Sequence, residues 1–211
     1  MKPGPANVFL VRHGEVENPR HIVYADLPGF LLSATGRRQA EVTADRLPPG
    51  ATIVTSPLER AAETAGIIAR RRNGRVIVDE TLTEWRLSTR WSGQVWDDLE
   101  FDFPGELEAY LSNPVYLPFS PESLVDLANR ISGTVQRHRA ATGGPLIIVS
   151  HQDPIQAARL LLSGRPLADL NSDKPMHAGF VALEARPELP WVECEMWAPD
   201  QGPVEPPAAS P

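Results

Sequence analysis

The chain has 211 residues, 42% of them hydrophobic and 22% charged, with a formal net charge of −7. These values suit a soluble globular domain with a core large enough to stand without staples, and the acidity excludes nucleic-acid binding by bulk electrostatics. Cys194 is the single cysteine, which excludes an intrachain disulfide and a multi-cysteine zinc site.

Residues Met1-Lys2-Pro3-Gly4-Pro5 lack the apolar segment of a signal peptide, and no run reaches the length of a membrane span, so a cytoplasmic protein without membrane partners is expected. Apolar, β-branched runs at Val8–Val11, Thr52–Thr55, Val76–Val78 and Leu146–Val149 are short and bounded by turn residues, the pattern of strands buried on both faces. Helical segments follow three of them, from near Ser33 to about Leu47, from Pro57 to about Arg71 and from Pro154 to about Leu162. The second has Ser56 as predicted N-cap, Pro57 at the first helical position and Glu59 completing a capping box. Strand–helix alternation predicts an α/β fold with a mostly parallel central sheet and helices on both faces. From about 85 to 120 the chain is irregular, with Trp85, Trp91, Trp96 and several prolines, and reads as an insertion over the carboxyl edge of the sheet. A further helix is predicted to start at Ser120-Pro121-Glu122 and run past Arg130. Gly179–Ala185 and Trp191–Trp197 resemble a terminal hairpin, whose edges leave a homodimer open. One domain over 1–198 and a disordered, proline-rich tail over 199–211 complete the expectation.

Three segments then align. Arg12-His13 follows the first strand, Ser56-Pro57-Leu58-Glu59-Arg60 the second, and Ser150-His151 the strand at 146–149. In a parallel sheet these lie on one carboxyl edge, where ligands of open α/β sheets bind. Two arginines, two histidines and the helix N-termini beside them suit a phosphoryl group, whose transition state spreads charge over three oxygens. All but two of the basic residues, Lys2 and Lys174, are arginines, which favours bidentate anion contacts.

Leu10-Val11-Arg12-His13-Gly14-Glu15, Ser-Pro-Leu-Glu-Arg around Arg60, Leu82-Thr83-Glu84 and Ser150-His151 together resemble the histidine phosphatase superfamily, the phosphoglycerate-mutase-like group. The resemblance implies that group's three-layer sandwich and a phosphohistidine mechanism on small phosphorylated substrates. His13 would be the nucleophile, Arg12, Arg60 and a charged His151 would hold the phosphoryl oxygens, and Glu84 would donate the proton. No metal and no cofactor is implied. Asn18 echoes a phosphate-contacting asparagine at a spacing one residue short, and Gln152, beside His151, is a further candidate phosphate contact. Asp153 reads as an N-cap before Pro154, and His138 as a solvated helix face. His21 and His177 sit in loops that could line the pocket. Asp79, Glu80 and Asp97 rival Glu84.

A metal-independent phosphomonoester hydrolase is the leading expectation. A cofactor-dependent phosphoglycerate mutase is the alternative, opposed by the absence of basic residues between Trp91 and Leu127. A non-catalytic phospho-ligand-binding module is the reading from a different class; a complete catalytic set opposes it.

Overall fold

The computed structural model describes residues 6–199 and 202–204. Strands β1 (Val8–Arg12), β2 (Thr52–Thr55), β3 (Arg75–Val78) and β4 (Leu146–Ser150) stand where the apolar runs fall. With β5 (Phe180–Glu184), β6 (Val192–Ala198) and β7 (Gly202–Val204) they form one sheet in the order β3-β2-β4-β1-β5-β6-β7. The pairs β1–β4, β4–β2 and β2–β3 are parallel, and β5 joins the parallel block antiparallel against β1. The sheet is thus the expected mostly parallel one, extended by the terminal hairpin.

Alternation along β1 and β4 builds a core on each face. Val8, Leu10, Leu146 and Ile148 face α6 (Leu124–Ala141) and α7 (Gln152–Leu162), meeting Leu127, Ile131 and Ile155. Phe9, Val11, Ile147 and Val149 face α1 (Ala34–Arg46) and α2 (Glu59–Arg72), meeting Ala44, Ala61 and Ile68. Each fully buried Leu or Ile contributes about 1.5–3 kcal/mol, so the carboxyl ends of β1 and β4 are held by the best-packed part of the fold.

Several sequence expectations need correction. Strand β3 is not buried on both faces; it is the sheet edge, with Arg75, Val76 and Val78 exposed. Helix α2 starts at Glu59 with Leu58 in the cap position, and Glu59 accepts a hydrogen bond from the Gly29 amide instead of closing a capping box. Helix α6 starts at Leu124, capped by the Ser123 hydroxyl, because Glu122 is turned inward onto Arg130. Helix α7 starts at Gln152, so Asp153 lies within its first turn and not at the cap. Of the tail, Gly202–Val204 forms β7 against the outer edge of β6; the other positions beyond 199 lie outside the described residues.

The stretch over 85–120 is less irregular than expected. Short helices α3 (Leu87–Arg90), α4 (Leu99–Asp102) and α5 (Glu106–Ser112) form a cap packed on the α6/α7 core. Buried Trp91 meets Tyr110 edge-on, with ring centroids 5.8 Å apart. Asn171 fastens α5 by donating to the carbonyls of Tyr110 and Leu111.

Candidate active site

The register places Arg12 opposite Ser150, and the His13 amide donates to the Ser150 carbonyl. The Ser56 amide donates to the Val149 carbonyl, so the ends of β1, β4 and β2 meet at one crevice. Gly14 lets the chain turn there against the start of α1: a Cβ would sit 2.5 Å from the Gly36 carbonyl oxygen, inside any permissible contact. The Gly14 amide is held by the Thr64 hydroxyl of α2.

His13 is 2% exposed, and its Nδ1 lies 2.8 Å from the Gly14 carbonyl oxygen. A carbonyl only accepts, so the proton sits on Nδ1 and the Nε2 lone pair is free. Burial, then Arg60, His151 and Arg12, push the His13 pKa well below the ordinary imidazole value and keep the ring neutral.

His151 caps α7 and is fully buried, its ring centroid 5.3 Å from that of His13. Its Nε2 is 2.9 Å from Ser56 Oγ, which also accepts from the Leu58 amide. Which of the two donates is set by the imidazole tautomer, and Nδ1 is the ring nitrogen turned to the crevice. That nitrogen has no hydrogen-bond partner and lies 3.9 Å from Glu84 Oε2. Burial and the guanidinium groups of Arg60, Arg12 and Arg130 lower the His151 pKa well below its ordinary value. That direction disfavours the charged His151 of the sequence expectation.

Glu84 follows a short 3-10 turn at Glu80–Leu82 that comes off β3. Its Oε1 accepts from the Trp85 amide. Burial, and next the negative charge of Asp153, raise its pKa to about 7, against the pull of Arg60 and Arg12. Its sequence rival Asp79 faces away: burial would raise that carboxyl, but bonds from Thr81, His138 and Arg137 outweigh it and hold the pKa low.

Arg12 and Arg60 converge from β1 and α2. Arg12 donates to the Pro175 carbonyl and to His177 Nε2 at 2.9 Å; Arg60 donates to the Ala25 carbonyl and lies 4.5 Å over the Tyr24 ring. Their Nε atoms and His151 Nδ1 are three of the four buried side-chain N or O atoms without a hydrogen-bond partner among the described residues. Buried donors are normally satisfied, so this set fits an anion. A cavity of about 340 Å³ opens on His13, Arg12 and Glu84 and runs under the cap to Trp91, Tyr110 and Asp153.

His13, Arg12, Arg60, His151 and Glu84 are thus brought together, and Gln152 lines the same cavity. Asn18 lines an adjoining cavity that Arg12 also lines, and its amide both accepts from and donates to the Ile22 backbone. His138 is not on a solvated face, because its Nε2 reaches Asp79 at 2.8 Å. His177, a loop residue with no motif, holds Arg12; burial and that guanidinium lower its pKa to about 3, so it accepts as a neutral imidazole. Asp153 is bound by Tyr110 and Lys174.

The topology and the paired histidines and arginines at the carboxyl edge define an α/β protein with a phosphoryl-sized anion site. The family profile described as histidine phosphatase superfamily, branch 1, matches residues 8–195, and the chain belongs to that family and is a phosphatase of its class. An uncharacterised protein of Mycobacterium tuberculosis is 38% identical over 175 residues, covering 78% of this chain and 82% of its own length. Phosphoserine phosphatase 1 of Hydrogenobacter thermophilus is 30% identical over 168 residues, covering 76% and 78%. The solved structure of a mycobacterial glucosyl-3-phosphoglycerate phosphatase with VO3 superimposes with a TM-score of 0.77 at 27% identity, covering 90% of this chain and 97% of that one. Among the described residues, no helix is long and apolar enough to cross a membrane.

Proposed function

We propose that the chain hydrolyses phosphate monoesters of small metabolites in two displacements through a phosphohistidine on His13. The observation that carries this is the His13 ring: Nδ1 is tied to the Gly14 carbonyl, leaving an unprotonated Nε2 beside two guanidinium groups and the ring of His151. In the first step Nε2 attacks phosphorus in line and forms the N–P bond. The ester P–O bond breaks, and the alcohol oxygen takes the proton of the Glu84 carboxylic acid. In the second, a water oxygen attacks the phosphohistidine while the Glu84 carboxylate accepts the water proton. The N–P bond breaks, returning neutral His13, protonated Glu84 and orthophosphate.

A carboxyl with a pKa of about 7 is populated in both forms at neutral pH, which this alternation needs. Arg12, Arg60 and His151 would carry the charge developing on the three equatorial oxygens. The small-metabolite class is supported by relatives named for phosphoserine and glucosyl-3-phosphoglycerate. Wild type and His13→Ala are compared over a library of phosphorylated metabolites, with and without chelator. Turnover by wild type alone, indifferent to chelator, is expected. Activity retained in His13→Ala defeats the proposal.

A further inference from the structure

The cavity wall beyond His13 carries a charge arrangement that the hydrolytic scheme does not use. No Lys or Arg occurs between Trp91 and Leu127, so this part of the cap brings no cation to the leaving group. Among the described residues lining the cavity, Arg12 has the one cationic side chain, and it belongs to the phosphoryl end. Arg90, at the border of this segment, is spent on Glu106 and on the faces of Phe103 and Phe119.

Lys174, bonded to the lining residues Tyr110 and Asp153, is the candidate for a second anion, and it is held in an ion pair. Its Nζ lies 2.6 Å from Asp153 Oδ1 and 2.6 Å from the Tyr110 hydroxyl, and 4.9 Å over the Tyr110 ring. The Tyr110 hydroxyl donates to Asp153 Oδ2 at 3.0 Å. This triad joins the cap, the first turn of α7 and the loop that carries His177. What it offers the cavity is the Asp153 carboxylate beside aromatic and apolar walls from Trp91, Trp96, Tyr110, Leu87, Ile22 and Val23. A leaving alcohol bearing a carboxylate or a second phosphate would meet an Asp153 already paired with Lys174, and no free cation on this wall to bind it. An uncharged alcohol would find hydrogen-bond acceptors and flat apolar surface.

Resting on the phosphatase reading above, we infer that this chain selects phosphate esters of uncharged alcohols with an apolar or aromatic face over esters carrying a second anionic group, and that Asp153 is the specificity-determining residue. Substrates such as those in the names of the two relatives, which carry a carboxylate, are disfavoured here.

The test uses three primary-alkyl esters of matched reactivity: benzyl phosphate, glycerol 3-phosphate and 3-phosphoglycerate. Glycerol 3-phosphate differs from 3-phosphoglycerate in having a hydroxymethyl group where the latter has its carboxylate. In wild type, kcat/KM for benzyl phosphate and glycerol 3-phosphate is expected to exceed that for 3-phosphoglycerate by roughly tenfold or more, the scale of placing one carboxylate in the cavity without a counter-charge. Asp153→Asn frees the Lys174 ammonium to pair with the substrate carboxylate, so the gap should narrow through a lower KM for 3-phosphoglycerate. Lys174→Met leaves Asp153 without its counter-charge, so the gap should widen. Opposite movements of this kind cannot come from loosened packing, which lowers all three activities together. Equal or better turnover of 3-phosphoglycerate by wild type, or parallel losses in both variants, overturns the inference while leaving the phosphatase reading intact. A wild type inert on all three esters defeats that reading itself.

Discussion

Replacing Glu84 by Gln removes the proposed proton donor while keeping the shape that accepts the Trp85 amide. General acid catalysis contributes on the order of 10²–10⁴ in rate, about 2.7–5.5 kcal/mol of barrier. That loss should depend on the leaving group. Benzyl alcohol needs a proton as the ester bond breaks, so kcat/KM for benzyl phosphate should fall by the full factor. 4-Nitrophenolate leaves without one, so the loss on 4-nitrophenyl phosphate should be far smaller. With a Glu84 pKa of about 7, wild-type kcat/KM on benzyl phosphate should decline above that pH, and the decline should be absent from the variant. A stability measurement checks the same carboxyl independently. Its folded pKa is raised from 4.5 to about 7, so its contribution to folding is intact below pH 4.5 and is lost as pH rises through 7. Glu84→Gln should therefore be more stable than wild type at pH 8, by up to about 3 kcal/mol, and no more stable at pH 4. Equal losses on the two esters, together with an unchanged pH profile, would refute the assignment.

Asp79→Ala removes the acceptor shared by Thr81, His138 and Arg137 and should cost about 1–3 kcal/mol at pH 7 by urea unfolding. Because the folded pKa of Asp79 is depressed, that contribution is present above the unfolded value of 3.8 and fades as pH falls below it, so the difference from wild type should shrink in acid. Gly14→Ala drives a Cβ onto the Gly36 carbonyl, 2.5 Å away. It should destabilise by about 1–3 kcal/mol and, by moving the His13 backbone, lower kcat on every ester alike.

The strands and the carboxyl-edge cluster were legible because both rest on local signals: short apolar runs, and polar residues placed directly after them. Even the two faces of the core follow from alternation along β1 and β4. Misreadings arose where a residue with a common local use is claimed by a distant partner. Ser56 has the sequence of an N-cap, yet the cap position is taken by Leu58 and the Ser56 hydroxyl is shared between the Leu58 amide and His151, 95 positions away. Asp153 reads as a cap, yet it is held by Tyr110 and Lys174. His177 had no local signal at all, since its role is defined by Arg12, 165 positions earlier in the chain. The cap resisted reading for a related reason. Its short helices are fixed by Trp91, Tyr110 and Asn171 against other elements, and no periodicity records those contacts.

The most direct test of the central chemistry is to trap the covalent enzyme. Wild type turning over a ³²P-labelled ester is quenched in alkali, digested and sequenced for the labelled peptide. An acid-labile, alkali-stable phosphoryl group on His13, absent from His13→Ala, is the expected result. Label on His151 or Ser56, or no label while turnover proceeds, would contradict it.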